Sequence, residues 1–329
     1  MDEHFPLYLM PFDHRRSFER GFFDSSPPIP EPVRRCITQL KQVIFDANQL
    51  AVAQGAPRNQ CGVLVDEEYG ATIAREATAA GTPLAMPVER SGQEEFEFEY
   101  GDRFAEHIEA FDPLFTKVLV RWNPEGDVAL NRRQGARLAT LGAWLKEHGR
   151  QFLFELLVPA TKDQQHECDK QGLDYDTDLR PQLAVQAIAQ LQAIDVEPTI
   201  WKVEGFDNVR QADALVRQAQ SGGREDVRCI VLGRGSDWAQ VTRWLQTAGY
   251  VEGFCGFAVG RTLWSHAVGD YLAGRLTAEQ ATSAIAERYL SLIHLYEGAS
   301  ALGRAGGLER QPSVPTQASS RRHAQRLRL

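Results

Sequence analysis

Two lysines and one glutamate lie inside short, otherwise apolar segments of the sequence. They are Lys117 in FTKVLVRW, Lys202 in PTIWKVEG and Glu155 in FLFELLV, in a chain with only six lysines. Burial and a neighbouring positive charge both lower the pKa of a lysine ammonium, and the free amine attacks a ketone to form a Schiff base. The iminium then draws electrons from the adjacent carbon–carbon bond, which is the chemistry of a metal-free aldol cleavage. A buried glutamate nearby could serve as general base or proton relay.

The same residue types also fit a second interpretation. Lys117 or Lys202 could form an ion pair with Glu155 inside the protein, and internal ion pairs perturb pKa values without any catalytic role. The residue types alone leave both interpretations open.

The order of elements predicts the fold that would position these residues. Short apolar runs alternate with longer amphipathic segments, which is typical of repeated βα units around a parallel sheet. Eight strands, each followed by a helix, predict an α/β fold with a single (β/α)8 barrel, and an extra C-terminal helix is predicted over 277–296. The predicted strands are 7–12, 61–65, 83–88, 115–121, 152–158, 199–203, 228–232 and 254–259, and the predicted helices are 32–54, 68–80, 102–110, 131–148, 181–193, 209–220, 237–248 and 263–273.

Polar residues at the C-terminal ends of the strands are the candidates for binding, because active sites of such barrels lie there. The glycine-bearing turns LGRGSD and AVGRTLW follow strands 7 and 8, where backbone N–H groups and a helix N-terminus commonly bind a phosphate. In these turns Arg261 would add a bidentate clamp and Ser236 a hydroxyl. The predicted substrate-binding residues are Asp13, His14, Arg15, Asp66, Arg121, Gly233, Gly235, Ser236, Gly260 and Arg261.

Composition and charge exclude several classes of function. The chain has 36 Lys plus Arg against 44 Asp plus Glu, a net charge of −8, so it lacks the basic footprint of a nucleic-acid binder. Its first apolar stretch is broken by Pro6 and Pro11, and no run approaches the length of a membrane span. We therefore expect a cytoplasmic protein. The five cysteines form no CxxC pair and are predicted to be reduced and structural.

Motifs for metals and nucleotide cofactors are absent from the sequence. The eight histidines are scattered, without the paired spacing that zinc ligands show on an apolar strand. The sequence also contains no GxGxxG after a first strand and no GxxxxGK[ST]. It therefore predicts no metal and no cofactor. Residues 1–298 are predicted to form the catalytic domain, and 299–329, which lack apolar periodicity, a disordered basic tail.

Six segments of the chain resemble one family of barrel aldolases. LYLMPFDHRRSFERGFF, CGVLVDEEYG, FTKVLVRWNPEGD, IWKVEGFDN, IVLGRGSD and GFAVGRTLW are similar to the 2-deoxy-5-keto-gluconate 6-phosphate aldolases of inositol catabolism. The likeness covers residues 5–298 and keeps the order of the motifs. The same positions are similar to the class I tagatose-bisphosphate and sulfo-sugar-phosphate aldolases. The resemblance implies a class I aldolase in which Lys202 forms the Schiff base and Lys117 and Glu155 are its catalytic neighbours.

The resemblance also implies a substrate. It would be 5-dehydro-2-deoxy-gluconate 6-phosphate, cleaved to dihydroxyacetone phosphate and malonate semialdehyde. Lys117 would help keep Lys202 uncharged, and Glu155 or a water that it orients would take the hydroxyl proton. The phosphate would be bound by Gly235, Gly260 and Arg261, and the candidates for the acid group are Arg15, Arg16 and Arg121.

Other functions stay open at this point. Another phosphorylated ketose, tagatose 1,6-bisphosphate or a sulfo-sugar phosphate, would need similar groups at both ends. A barrel that only binds a sugar phosphate could dispense with Lys202, so the presence of both lysines and the glutamate favours an enzyme. The sequence leaves open whether the protein is a homo-oligomer.

Overall fold

Eight parallel strands form a closed barrel. The structure, a computed structural model, describes residues 5–24 and 27–305. The strands are β1 (Leu7–Pro11), β2 (Cys61–Leu64), β3 (Leu84–Pro87), β4 (Phe115–Arg121), β5 (Gln151–Leu157), β6 (Ile200–Glu204), β7 (Arg228–Leu232) and β8 (Phe254–Ala258). Each strand pairs with the next along the chain, and β8 pairs with β1 to close the sheet. The predicted (β/α)8 fold is confirmed.

The alternation of side chains along each strand builds two separate apolar regions. Successive residues of a strand point to opposite faces of the sheet. Leu9, Phe115 and Ile200 belong to a small cluster inside the barrel, whereas Tyr8 and Val118 belong to the larger core between the sheet and the helices. The inner cluster fills the lower part of the barrel and leaves its upper, C-terminal end to polar side chains.

Helices surround the barrel between successive strands. They are α1 (Arg16–Phe22), α2 (Glu31–Ala53), α3 (Glu67–Ala79), α4 (Phe104–Phe111), α5 (Val128–Glu147), α6 (Lys162–Gln171), α7 (Arg180–Gln192), α8 (Val209–Ala219), α9 (Trp238–Gly249), α10 (Arg261–Leu272) and α11 (Ala278–Arg304). The nine helices expected from amphipathic periodicity are all present, with bounds that differ by a few residues in most cases.

Three short elements were not expected from the sequence. They are α1, α6 and a π-helical turn over Tyr175–Leu179. The α6 segment, KDQQHECDKQ, has almost no apolar residues, so periodicity gives no signal; its start is instead stabilised by a capping box between Thr161 and Gln164. The α1 helix buries only Phe18 and Glu19. The α6 helix therefore depends on its capping box and α1 on tertiary contacts, and neither has a continuous apolar face.

The last helix continues past the predicted domain boundary at 298. Residues 299–304, assigned to the tail from the sequence, form the final turns of α11. The helix continues because Ala299 packs against Gly249 at the end of α9, and Gly303 lies against Gly249 and Tyr250. The rest of the predicted tail, 306–329, lies outside the described residues.

Candidate active site

Three neighbouring strands place two lysines and a glutamate together inside the barrel. Lys117 on β4, Glu155 on β5 and Lys202 on β6 lie two residues after members of the inner apolar cluster, so their side chains point inward. Glu155 is directly opposite Lys202 in the register of the two strands. A single carboxylate oxygen, Oε2 of Glu155, lies 3.0 Å from Nζ of Lys117 and 2.9 Å from Nζ of Lys202.

Lys117 is held by three carboxylates. Its Nζ lies 2.9 Å from Oδ2 of Asp13 and 2.8 Å from Oε1 of Glu89, in addition to Glu155. Burial lowers the pKa of Lys117, but the charges of these carboxylates outweigh burial and hold the pKa well above its ordinary value. Lys117 is therefore a permanent cation.

The same contacts lower the pKa values of two of the carboxylates. Burial raises the pKa values of Asp13 and Glu155, but the charges of Lys117 and Lys202 and their hydrogen bonds together outweigh burial, and both pKa values lie below their ordinary range. The ion pairs expected under the second sequence interpretation are thus present. They coexist with an open cavity beside both lysines, which the first interpretation requires.

A cavity of about 510 Å³ opens above this cluster at the C-terminal end of the barrel. Its floor is formed by the lysine and carboxylate side chains, and its outer wall by the segments after β1, β3 and β4. A ligand in this cavity would contact both lysines and several arginines. The charged and histidine side chains that line it are Asp13, His14, Arg15, Arg16, Arg20, Glu89, Arg90, Glu94, Glu95, Lys117, Arg121, Glu155 and Lys202.

Glu89 belongs to the cluster, although it is not among the residues predicted from the sequence. It lies two residues after β3, buried, with Oε1 on Lys117 and Oε2 without a hydrogen-bond partner among the described residues. Its position in the sequence could have identified it, because Glu89 directly follows the predicted strand 83–88, as the other candidates follow theirs.

Arg15, expected to bind substrate, is instead held by the protein. Its guanidinium donates to Oε2 of Glu99 at 2.9 Å and to the carbonyl oxygen of Glu89 at 2.7 Å, and the side chain is buried. Arg121 is half-exposed and donates to the carbonyl oxygen of Gln93 at 2.8 Å. Arg16 lines the same cavity, and its guanidinium has no ion-pair partner among the described residues. Arg16 and Arg121 are therefore better placed than Arg15 to meet a ligand.

The loops after β7 and β8 contact each other through side-chain hydrogen bonds. Nη2 of Arg261 donates to the carbonyl oxygen of Arg234 at 3.2 Å, and Oγ1 of Thr262 donates to that of Ser236 at 2.7 Å. Gly235 has a φ of +76°, and a Cβ there would lie 2.8 Å from the Arg261 guanidinium. Only glycine therefore fits this turn without strain.

The helix that starts in this second loop has an open N-terminus. Gly260 is the N-cap of α10 and provides no side-chain hydrogen bond, while a Cβ at this position would meet the carbonyl oxygen of Pro11. By contrast, Asp237 caps α9 with its own carboxylate. Gly233 packs against Val259 at the base of the same loops. The first N–H groups of α10 are therefore the ones left for an anion.

His14 connects the cavity to this loop pair. Its ring lies edge-on to Trp264 of α10, with ring centroids 5.6 Å apart. Its buried Nδ1 has no hydrogen-bond partner among the described residues and lies 3.9 Å from Oδ1 of Asp13. Burial lowers its pKa to about 4, and the positive charge of Arg261 acts in the same direction. His14 is therefore neutral at pH 7.

Asp66 does not line the cavity, although it was expected to bind substrate. It is completely buried as the N-cap of α3, where Oδ2 accepts the backbone N–H of Tyr69 at 2.9 Å. Its Oδ1 accepts a short hydrogen bond from the equally buried Lys41 on α2. Both oxygens are occupied, so Asp66 ties α2 to α3 rather than meeting a ligand.

Two absences among the described residues bear on the kind of site. Within residues 5–24 and 27–305, no group of three or more His, Cys, Asp or Glu side chains is arranged to hold a metal ion. Over the same residues, none of the helices combines the length and apolar character needed to cross a bilayer.

The fold and the cavity define a (β/α)8 barrel protein with a lysine–carboxylate cluster at its C-terminal end. Residues 3–300 match the family described as "Uncharacterized protein conserved in bacteria (DUF2090)". The chain belongs to this family. No curated protein matches the sequence.

Three solved structures, two of them described as aldolases, share the fold at low sequence identity. Fructose-bisphosphate aldolase from Plasmodium falciparum superposes with a TM-score of 0.61 at 12% identity, over 88% of this chain and 90% of that chain. Cgl0159 from Corynebacterium glutamicum gives 0.55 at 14% identity, over 89% and 87%. A Schiff-base-forming fructose-1,6-bisphosphate aldolase gives 0.51 at 14% identity, over 86% and 94%. At these identities the similarity establishes the fold.

Proposed function

We propose that the protein is a class I aldolase that cleaves a phosphorylated keto sugar acid through a Schiff base on Lys202. The observation that carries this proposal is the position of Lys202, whose Nζ lies beside the cavity and shares Oε2 of Glu155 with Lys117. The aldolases with which the barrel superposes support the reaction class, and one of them is described as forming a Schiff base.

The geometry suggests a role for each member of the cluster. Lys202 condenses with the substrate ketone, and Glu155, 2.9 Å away, accepts the ammonium proton. Glu155 then returns this proton to the carbinolamine hydroxyl, which leaves as water, so the carboxylate is ionised again before the carbon–carbon bond is cleaved. The lowered pKa of Glu155 keeps this carboxylate ionised, as a general base that takes a substrate hydroxyl proton must be. Lys117 stays charged and stabilises negative charge that develops on substrate oxygens. This differs from the role expected from the sequence, in which Lys117 mainly kept Lys202 uncharged.

The phosphate would bind at the open N-terminus of α10, with Arg261 beside it and Gly235 and Ser236 on the neighbouring loop. The acid group at the other end would meet Arg16 or Arg121 across the cavity. We take 5-dehydro-2-deoxy-gluconate 6-phosphate as the substrate to test first, with dihydroxyacetone phosphate and malonate semialdehyde as products. The reaction needs no metal and no cofactor, and the five free cysteines fit a cytoplasmic location.

A second candidate is a barrel that binds a sugar phosphate without cleaving it. The ion pairs of both lysines favour this alternative, because a lysine held as an ammonium cannot attack a carbonyl. The two candidates make opposite predictions about a covalent adduct.

Borohydride trapping separates the two candidates. The full-length protein is incubated with dihydroxyacetone phosphate and reduced with borohydride. Its mass is then measured by mass spectrometry, and peptide mapping locates the modified lysine. We expect one adduct on Lys202, none in Lys202→Met, and a normal adduct in the control Lys146→Met, which alters a lysine of α5 outside the site. Wild-type protein without an adduct would refute the aldolase, and an adduct on Lys117 would reverse the two lysine roles. Cleavage assays with tagatose 1,6-bisphosphate and a sulfo-sugar phosphate then rank the substrates.

A further inference from the structure

Glu89 is buried in the wall of the cavity with one oxygen engaged and the other free. Oε1 accepts from Nζ of Lys117 at 2.8 Å, while Oε2 is buried without a hydrogen-bond partner among the described residues. The backbone around it is fixed, since its carbonyl oxygen accepts from Arg15 at 2.7 Å and the residue forms a β-bridge with Phe98. The free oxygen therefore has a defined position in the buried wall of the cavity, and a ligand reaches it only when the carboxyl group turns toward the cavity.

Charge balance at the floor of the cavity favours a proton on this carboxyl group. Three carboxylates, Asp13, Glu89 and Glu155, face two lysines there. The third nearby cation, Arg15, lies 3.9 Å from Oε1 of Glu89 and is itself paired with Glu99 at 2.9 Å. An unpaired oxygen of a buried carboxylate is costly, whereas the protonated group is neutral and gains an O–H donor. Of the three, Glu89 is the one whose pKa lies above its ordinary value, because burial outweighs the charges of Lys117 and Arg15 and the nearby charge of Asp13 adds to it.

The position of Glu89 along the barrel shows which part of the substrate it would meet. The phosphate loops follow β7 and β8, Lys202 is on β6, and Lys117 is on β4. Glu89 follows β3, so it lies on the opposite side of Lys117 from Lys202. A substrate with its phosphate at α10 and its ketone on Lys202 would extend the half beyond the cleaved bond toward Glu89.

We propose that Glu89 is a further catalytic residue, which donates a hydrogen bond from its carboxyl group to the oxygen of the aldehyde that carbon–carbon cleavage releases. The proposal rests on the proposed function. In the cleavage step, Glu155 takes the proton of the substrate hydroxyl, and that oxygen's electron pair forms the new C=O bond. The carbon–carbon bond breaks, and its electrons form the enamine as the iminium nitrogen regains its lone pair. Glu89 keeps its proton throughout and stabilises the charge that develops on the oxygen.

Two variants of Glu89 test this role by separating the half-reactions. Loss of a donor aimed at a developing oxyanion lowers kcat by about 10²–10³-fold, so we expect Glu89→Ala to lose that much cleavage activity with a much smaller change in KM. Its borohydride adduct with dihydroxyacetone phosphate should form at the wild-type level, because that product does not reach Glu89. Glu89→Gln keeps an N–H donor and should retain activity within tenfold of wild type. Glu147→Gln, which changes an exposed glutamate at the end of α5 outside the site, is the matched control.

The pH profile gives an independent readout. Wild-type kcat should fall as the pH rises through the pKa of Glu89, and this limb should be absent in Glu89→Gln, whose amide does not titrate. If Glu89→Ala fails to fold, the profile of Glu89→Gln decides alone. Wild-type activity in Glu89→Ala, loss of its adduct, or an unchanged alkaline limb in Glu89→Gln would each overturn the role of Glu89. Wild-type protein without an adduct would instead refute the proposed function.

Discussion

Replacing Lys117 by methionine removes one ammonium group and leaves three buried carboxylates. Asp13, Glu89 and Glu155 all lie within 3.0 Å of Nζ of Lys117, whose side chain is only 2% exposed. Removing one partner of a buried ion pair costs about 3–5 kcal/mol because the remaining charge is uncompensated. We expect Lys117→Met to lower the free energy of unfolding at pH 7 by this amount.

The dependence on pH has a definite sign. In the wild type, the pKa values of Asp13 and Glu155 are lowered, so their contribution to stability is present above their unfolded pKa values and is lost only as the pH falls through the folded ones. The contributions of Asp13 and Glu155 to stability are therefore constant between pH 5 and 8. Glu89, with a raised pKa, contributes stability that is lost as the pH rises. Without Lys117, burial raises the pKa values of Asp13 and Glu89, whereas Glu155 still has Lys202 at 2.9 Å. Asp13 and Glu89 then each lose up to about 1.4 kcal/mol per pH unit as the pH rises through the new pKa.

Urea unfolding at pH 5, 6, 7 and 8 measures this difference. The gap in stability between the wild type and Lys117→Met should widen from pH 5 to pH 7, with unchanged m-values. Lys170→Met, which removes a lysine whose side chain is 69% exposed, is the control and should track the wild type. A gap that stays constant across these pH values would refute the reasoning, because it would mean that the carboxylates do not respond to loss of the ammonium.

Two further predictions concern groups beside the cluster. Lys41→Met leaves the buried Asp66 without its ammonium partner, so it should lower the free energy of unfolding by about 3–5 kcal/mol. The borohydride adduct on Lys202 should still form, and its loss would mean that the Lys41–Asp66 pair contributes to the site. The folded pKa of His14, about 4, is below the unfolded value, so its contribution to stability is lost as the pH falls from about 6.5 toward 4. Thermal unfolding of His14→Gln between pH 7 and 4.5 should therefore show a shallower acid loss than the wild type, and parallel curves would contradict this.

The fold could be predicted from the sequence because each strand is a short apolar run between longer amphipathic segments. The same periodicity predicted that Lys117 and Lys202 lie on strands with apolar neighbours. It could not predict that both share one oxygen of Glu155, since this contact depends on the register of β4, β5 and β6. Register depends on the whole barrel and leaves no local signal.

The surroundings of individual site residues depend on tertiary structure in the same way. Asp66 and Asp13 both follow a strand in the sequence, yet Asp66 caps a helix and Asp13 reaches Lys117. Arg15 was a substrate candidate because it follows β1, but Glu99, eighty-four residues later, holds its guanidinium. Position after a strand therefore narrows the candidates, whereas the packing of distant segments decides which side chains remain available.

The seam of the barrel joins the two ends of the described chain. Tyr289 of α11 donates its hydroxyl to the carbonyl oxygen of Tyr8 on β1 at 2.5 Å, and its ring lies edge-on to Phe257 on β8. During synthesis, β1 is made shortly before β2 but long before β8, its neighbour on the other side, and before α11, which packs on it. One edge of β1 therefore stays unpaired until residues 254–258 have emerged, and closure of the barrel is a late, long-range event.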